Sequence, residues 1–163
     1  MIKKGDKNMK YIFLDCDGVL NNANYIKKCY RKNGHKPMSM YCTPFDPHNL
    51  KNLAKIVKKT GAKIVLSSTW RIFKSHIYVL EARLAEYGLR IYDMTDNINM
   101  IKGAEITEWL KQHRDIENYV VIDDEEYDLS NFIDNKHLVI VDSNYGLTFG
   151  DRIKVIEKLR GVE

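Results

Sequence analysis

The sequence predicts an α/β domain built on a parallel sheet with helices on both faces. Three observations carry this. Short apolar runs recur at residues 11–14, 63–66, 119–122 and 138–141, with a weaker one at 90–92. They lack the alternation of a half-exposed strand, as expected where both faces are covered. Helical patterns lie between them, and strands alternating with helices build parallel sheets. Polar residues gather where the runs end, the edge at which such sheets bind ligands.

The elements follow in order. Residues 1–9 are polar and are expected to form a flexible tail, leaving residues 10–163 as the domain. The first strand, YIFL, runs into Asp15 and Asp17. A short basic insert at about 24–45 comes next. At the first helix Asp46 is a natural N-cap and Pro47 fits the first turn. Leu50, Leu53, Ala54 and Val57 form its apolar face, and Gly61 ends it. A second helix carries Ile77, Leu80, Leu84 and Tyr87 and stops at Gly88. A third, after Lys102, carries Ile106, Trp109 and Leu110; the last carries Ile153, Ile156 and Leu159.

Bulk properties exclude some classes. A chain of 163 residues suits one domain with a proper core. Hydrophobic residues at 44% and charged residues at 29% match a soluble globular protein. The 26 basic and 22 acidic residues leave a net charge of only +4, so placement matters more than size. No apolar run is long enough for a membrane span or a signal-peptide core. Cys16, Cys29 and Cys42 are odd in number and form no CxxC pair, so a reducing cytoplasm is expected. No feature calls for an obligate protein partner.

The strand ends carry the chemistry. Asp15 and Asp17 follow the first strand, Ser67, Ser68, Thr69, Trp70 and Arg71 the second, and Asp123, Asp124, Glu125 and Glu126 the fourth. Lys102 opens the third helix. Buried like charges resist joint ionisation, so such a set implies a cation, a phosphate or a proton-transfer task. It suits phosphoryl transfer on Mg²⁺, which prefers hard oxygen ligands. A carboxylate can attack phosphorus, a second can move protons, and a hydroxyl and an ammonium can hold the phosphoryl oxygens.

Alternatives stand beside these readings. Ser68 or Thr69 could hold phosphate, leaving Ser67 as turn chemistry. Lys36 and Lys63 rival Lys102, which a helix start favours. Cys16 reads as a packing residue, with a nucleophilic thiol as the sharper reading. Cys29, His35, Cys42 and His48 could bind zinc, though not in a known short pattern. Trp70 and Arg71 are either a packed indole with a solvated arginine or a base-stacking platform with a phosphate contact.

The four stretches together resemble the haloacid dehalogenase-like (HAD) phosphohydrolase superfamily. LDCDGV resembles its first motif, VLS ending at Ser67 its second, Lys102 its third, and VVIDD ending at Asp124 its fourth. The resemblance implies a three-layer Rossmann-like fold and Mg²⁺ as cofactor. It implies Asp15 as nucleophile and Asp17 as general acid/base with its carbonyl on the metal. Ser67, with Ser68 beside it, and Lys102 would hold the phosphoryl group. Asp15, Asp17, Asp123 and Asp124 would form the metal site, and which of the last two is the direct ligand stays open. DGVLN, LSSTWR, KGAEITEWL and a late GLT resemble the small domains of RNA repair enzymes and polynucleotide 3′-phosphatases.

Neither place where HAD enzymes insert a cap has room for a typical folded domain, so no large cap domain is expected. The insert offers Lys27, Lys28, Arg31, Lys32 and Lys36 with aromatics and no acid, which suits a nucleic-acid strand or a solvated loop equally well. The favoured substrate is a nucleic-acid or nucleotide phosphomonoester, with single-stranded nucleic acid as a partner. A small-metabolite or phosphoprotein phosphatase is the enzyme alternative. A non-catalytic nucleic-acid-binding module is the alternative from another class. A phosphate-accepting receiver domain is a third, disfavoured by Asp17.

Overall fold

Ile12, Phe13 and Leu14 have no exposed surface, so the first strand must lie inside a sheet. The computed structural model describes residues 9–36 and 44–162 and shows why. The strands β1 (Met9–Leu14), β2 (Lys63–Leu66), β3 (Ile91–Met94), β4 (Ile116–Asp123) and β5 (Leu138–Ile140) form one sheet in the order β3-β2-β1-β4-β5. Every pairing is parallel. The chain builds outward from β1 to β3, then returns to the other side of β1 for β4. That reversal is a topological switch point, where open α/β sheets bind ligands.

The helices are α1 (Ala23–Lys32), α2 (Pro47–Thr60), α3 (Lys74–Ala85), α4 (Lys102–Gln112), α5 (Leu129–Phe132) and α6 (Phe149–Arg160). Alternation along β1 divides the core. Ile12 and Leu14 join Leu50, Leu53 and Ile56 of α2, Leu80 and Leu84 of α3, and Val155 and Leu159 of α6. Tyr11 and Phe13 face the other way, with Ile106 and Trp109 of α4 and Leu129 of α5. The three-layer Rossmann-like arrangement is the one expected.

Local chemistry explains most boundaries. Asp46 caps α2 through a 2.8 Å bond from the His48 amide, Pro47 opens the helix, and Gly61 closes it in a left-handed turn. The last helix differs from expectation in its face: Ile153 is exposed, and Val155 fills the core beside Ile156 and Leu159. The basic insert also differs. Residues 23–32 form α1, capped by Asn22 accepting from the Tyr25 amide, with Arg31 and Lys32 at the negative end of its dipole. Residues 1–8 of the expected tail, and Tyr41 and Cys42 of the insert, lie outside the described residues.

A buried polar knot ties the turn after β1 to the rest. Asn22 Nδ2 donates to Asp46 Oδ2 (2.7 Å) and Asn49 Oδ1 (2.8 Å). Asn49 Nδ2 donates to the carbonyls of Tyr145 (3.0 Å) and Leu147 (3.1 Å). A Cβ at Gly146 would lie 2.5 Å from both Asn49 Oδ1 and the Val19 carbonyl, so only glycine fits there. Replacing Asn49 with leucine strands the Tyr145 carbonyl and part of Asn22. It is expected to cost about 1–3 kcal/mol for each group left unpaired. A fall in urea midpoint at constant slope would register this; an unchanged midpoint would mean the knot carries no stability.

Candidate active site

The parallel ladder runs one residue past several strand ends and sets the site's frame. The Asp15 amide donates to Ile122 O (3.0 Å), the Ser67 amide to Leu14 O (3.1 Å) and the Thr95 amide to Leu66 O (3.1 Å). Asp15, Ser67 and Thr95 therefore start side by side, with Asp123 closing β4 next to them.

Asp15, Asp123 and Asp124 place carboxylate oxygens within 4.8 Å of one another. Lys102, the first residue of α4, reaches between two of them. Its Nζ donates to Asp15 Oδ1 at 3.0 Å and makes a short bond to Asp123 Oδ2. Burial raises the Asp15 carboxyl to about 6, against the pull of Lys102 and with the help of Asp123. Burial also raises Asp123, although Lys102 opposes it. Asp124 rises through burial and the Asp15 charge. Burial alone would lower Lys102, but the Asp15 and Asp123 carboxylates outweigh it and raise the ammonium.

Fully ionised, three carboxylates and one ammonium leave two negative charges uncompensated. A hard-oxygen set with that deficit fits a divalent cation. It is the single such cluster of His, Cys, Asp and Glu among the described residues. The combination of Cys29, His35 and His48 does not assemble into one.

Gly18 makes the cluster possible. It sits at φ +72°, and a Cβ there would lie 2.1 Å from Asp124 Oδ2. Asp17 is exposed and turns away from the triad. Its Oδ1 accepts from Asn21 Nδ2 at 2.7 Å and its Oδ2 from Trp70 Nε1 at 3.0 Å, so the carboxylate is held at both oxygens.

The loop after β2 separates its serines. Ser68 Oγ caps the following turn by accepting from the Trp70 amide at 3.3 Å. Ser67 Oγ is fully buried with no partner, an arrangement a bound anion would relieve. Turn chemistry thus falls to Ser68. Lys63, a rival to Lys102, lies at the opposite end of β2 over the Tyr92 ring.

The chain matches the family model described as the HAD domain in Swiss Army Knife RNA repair proteins over residues 11–151. It belongs to this family. No curated protein matches it, and no solved structure does. The matched segment spans all four strand-end stretches of this HAD domain. Among the described residues no large cap covers them, and no helix is long and apolar enough to cross a membrane.

Of the two readings of Trp70 the structure shows the packed one, and Arg71 departs from both of its readings. Trp70 is a packed indole, 7% exposed and edge-on to Phe45, not a free stacking platform. Arg71 is neither solvated nor open to a phosphate. Its guanidinium donates to the carbonyls of Ser67 (3.1 Å), Ser68 (2.8 Å) and Thr95 (2.9 Å) and pairs with Glu105 at 2.5 Å. The other Glu105 oxygen accepts from the Ile98 amide at 3.0 Å. This clamp fastens the Ser67 loop to the helix that bears Lys102. Asp128 adds a second brace, accepting from the Gly103 amide at 2.7 Å. Lys27, Lys28, Arg31 and Lys32 are exposed on α1 and form no ion pair with the described residues.

Two outcomes follow from this geometry. Arg71→Gln leaves Glu105 as a buried unpaired charge and is expected to destabilise by about 3–5 kcal/mol. The double change with Glu105→Gln should recover much of that in thermal melts, whereas additive losses would deny the pairing. The second concerns pH. The folded Asp15 binds its proton more tightly than the unfolded one, so it favours the native state below about pH 4. That contribution is lost as pH rises from the unfolded value through about 6. A divalent cation held by the triad should therefore raise Tm more at pH 7.5 than at pH 5; an equal rise would place the ion elsewhere.

Proposed function

We propose that this HAD domain is a Mg²⁺-dependent phosphomonoesterase that passes through an aspartyl-phosphate on Asp15. The observation that carries this is the triad of buried Asp15 and Asp123 and half-buried Asp124, with Lys102 inside it and the unpartnered Ser67 hydroxyl at its side. A bound Mg²⁺ would offset the charge of the carboxylates and the phosphoryl oxygens, held by Asp15, the Asp17 carbonyl, and Asp123 or Asp124.

Asp15 Oδ attacks phosphorus while the bond to the ester oxygen breaks, which gives an acyl phosphate and an alcohol. Asp17 donates the proton to the leaving oxygen and then takes one from the water that attacks the acyl phosphate. Asn21 and Trp70 keep its carboxylate aimed for both steps. Lys102 and Ser67 hold the phosphoryl oxygens, and the Arg71–Glu105 clamp keeps those two groups at a set spacing.

A nucleic-acid phosphomonoester is the favoured substrate. The family's description points to RNA repair. No large cap covers the strand ends among the described residues, which leaves the site able to accept the end of a long strand, and α1, the helix that follows the Asp17 turn, carries four exposed cations. Lys27 with Arg31, and Lys28 with Lys32, are one helical turn apart and form parallel basic rows.

Hydrolysis of p-nitrophenyl phosphate should require Mg²⁺ and stop on chelation. Asp15→Asn should abolish it while the melting curve stays cooperative; full activity in that variant would remove Asp15 from the mechanism. Single strands ending in a 3′-phosphate should be cleaved with higher kcat/KM than 3′-mononucleotides at low salt. Equal efficiencies would favour a small-metabolite phosphatase.

A further inference from the structure

Charge is segregated on this molecule. α1 carries Lys27, Lys28, Arg31 and Lys32, α2 carries Lys51, Lys55, Lys58 and Lys59, and neither helix contains an acid. With these eight and Arg152 set aside, the remaining 17 basic residues face 22 acidic ones. Lys58 and Lys59 in the last turn of α2 complement its dipole. Lys51 and Lys55 have no such reason, and successive lysines at i, i+4 repel along the helix.

Between α2 and α6 three of these cations, Lys55, Lys58 and Lys59, line a cavity of about 440 Å³ with Arg152, Ile153 and Ile156, and no carboxylate lines it. Arg152 is held in place. It donates to Asn52 Oδ1 at 3.2 Å and lies 4.4 Å over the ring of Phe149, which is 63% exposed. Ile153 is 39% exposed in the same wall. Cations for phosphates beside an exposed aromatic ring and an apolar floor for bases make a single-strand binding surface.

The groove wall is tied to the active-site turn by hydrogen bonds. Asn52 Nδ2 donates to the Leu147 carbonyl at 2.8 Å, and the Leu147 amide donates to Val19 O at 2.9 Å, in the turn that carries Asp17 and Gly18. Lys55 lies nine residues along α2 from its cap Asp46, or about 14 Å at the helical rise. We propose that the α2–α6 groove binds the phosphodiester backbone of a single-stranded polynucleotide whose phosphorylated end occupies the Asp15 site. This rests on the nucleic-acid reading above and adds a second, remote contact to it.

The test compares wild type with Lys55→Gln/Lys58→Gln/Lys59→Gln and with Arg152→Gln. The substrates are p-nitrophenyl phosphate, a 3′-phosphorylated dinucleotide and a 3′-phosphorylated strand of about twelve nucleotides, within the range one binding surface covers. The triple variant should lose roughly tenfold in kcat/KM on the long strand at low salt. Its dependence of log kcat/KM on log salt should flatten by about 0.7 for each phosphate contact removed. The dinucleotide and p-nitrophenyl phosphate should be unaffected. Unchanged long-strand turnover, or an equal loss on all three substrates, overturns the groove. So does binding of phosphatidylserine vesicles through the same lysines in preference to the strand, which would make the face a membrane contact. Failure of the nucleic-acid reading itself shows separately, as a wild type with no preference for the long strand.

Discussion

The structure depends on one electrostatic constraint: three carboxylates at the ends of two adjacent strands, two of them buried and the third half-buried, set against a single ammonium. β1 and β4 pair in parallel register, so Asp15 and Asp123 must emerge side by side. Asp124 follows at once and leans over Gly18. Lys102 alone cannot balance three negative charges, and burial drives the carboxyls up accordingly. A surface pair could shed such strain into water. This one cannot, which is why the site reads as built to receive a cation and to act on an anion.

The supporting parts serve that constraint from outside. The Arg71 clamp joins the loops after β2 and β3 to α4, so the hydroxyl of Ser67 and the ammonium of Lys102 share one rigid frame. The Asn22–Asn49 knot does the same for the turn after β1, fixing it to α2 and to the loop before α6. Asp17 stands apart from the metal-like cluster, oriented by Asn21 and Trp70. The two aspartates of one motif thereby acquire different surroundings, one buried and charge-crowded, the other exposed and hydrogen-bonded.

Much of this was legible in the sequence, and the reasons are local. Uniformly apolar runs marked the buried strands, and Asp46, Pro47 and Gly61 marked the limits of α2 because caps act through nearest neighbours. Chemistry at strand ends was legible because parallel topology brings those ends together. What escaped notice depends on long-range partners. Residues 23–32 hold no strong apolar stripe, so α1 read as a loop, although Asn22 was a usable capping signal. Arg71 looked available because its partner Glu105 lies 34 residues away. The role of Asn49 had no local signal, because its carbonyl partners arrive nearly a hundred residues later.

The central claim is that the phosphoryl group is carried on Asp15. Borohydride reduces an acyl phosphate of aspartate to homoserine and leaves a free carboxylate unchanged. The Asp17→Asn variant, which should retain attack on a substrate with a good leaving group but lack the base for hydrolysis, can be mixed with Mg²⁺ and p-nitrophenyl phosphate, quenched rapidly and reduced. Peptide mapping by mass spectrometry then reads position 15. The account predicts homoserine at position 15 in the substrate-treated sample alone. An unmodified Asp15 alongside a burst of released p-nitrophenol would contradict it.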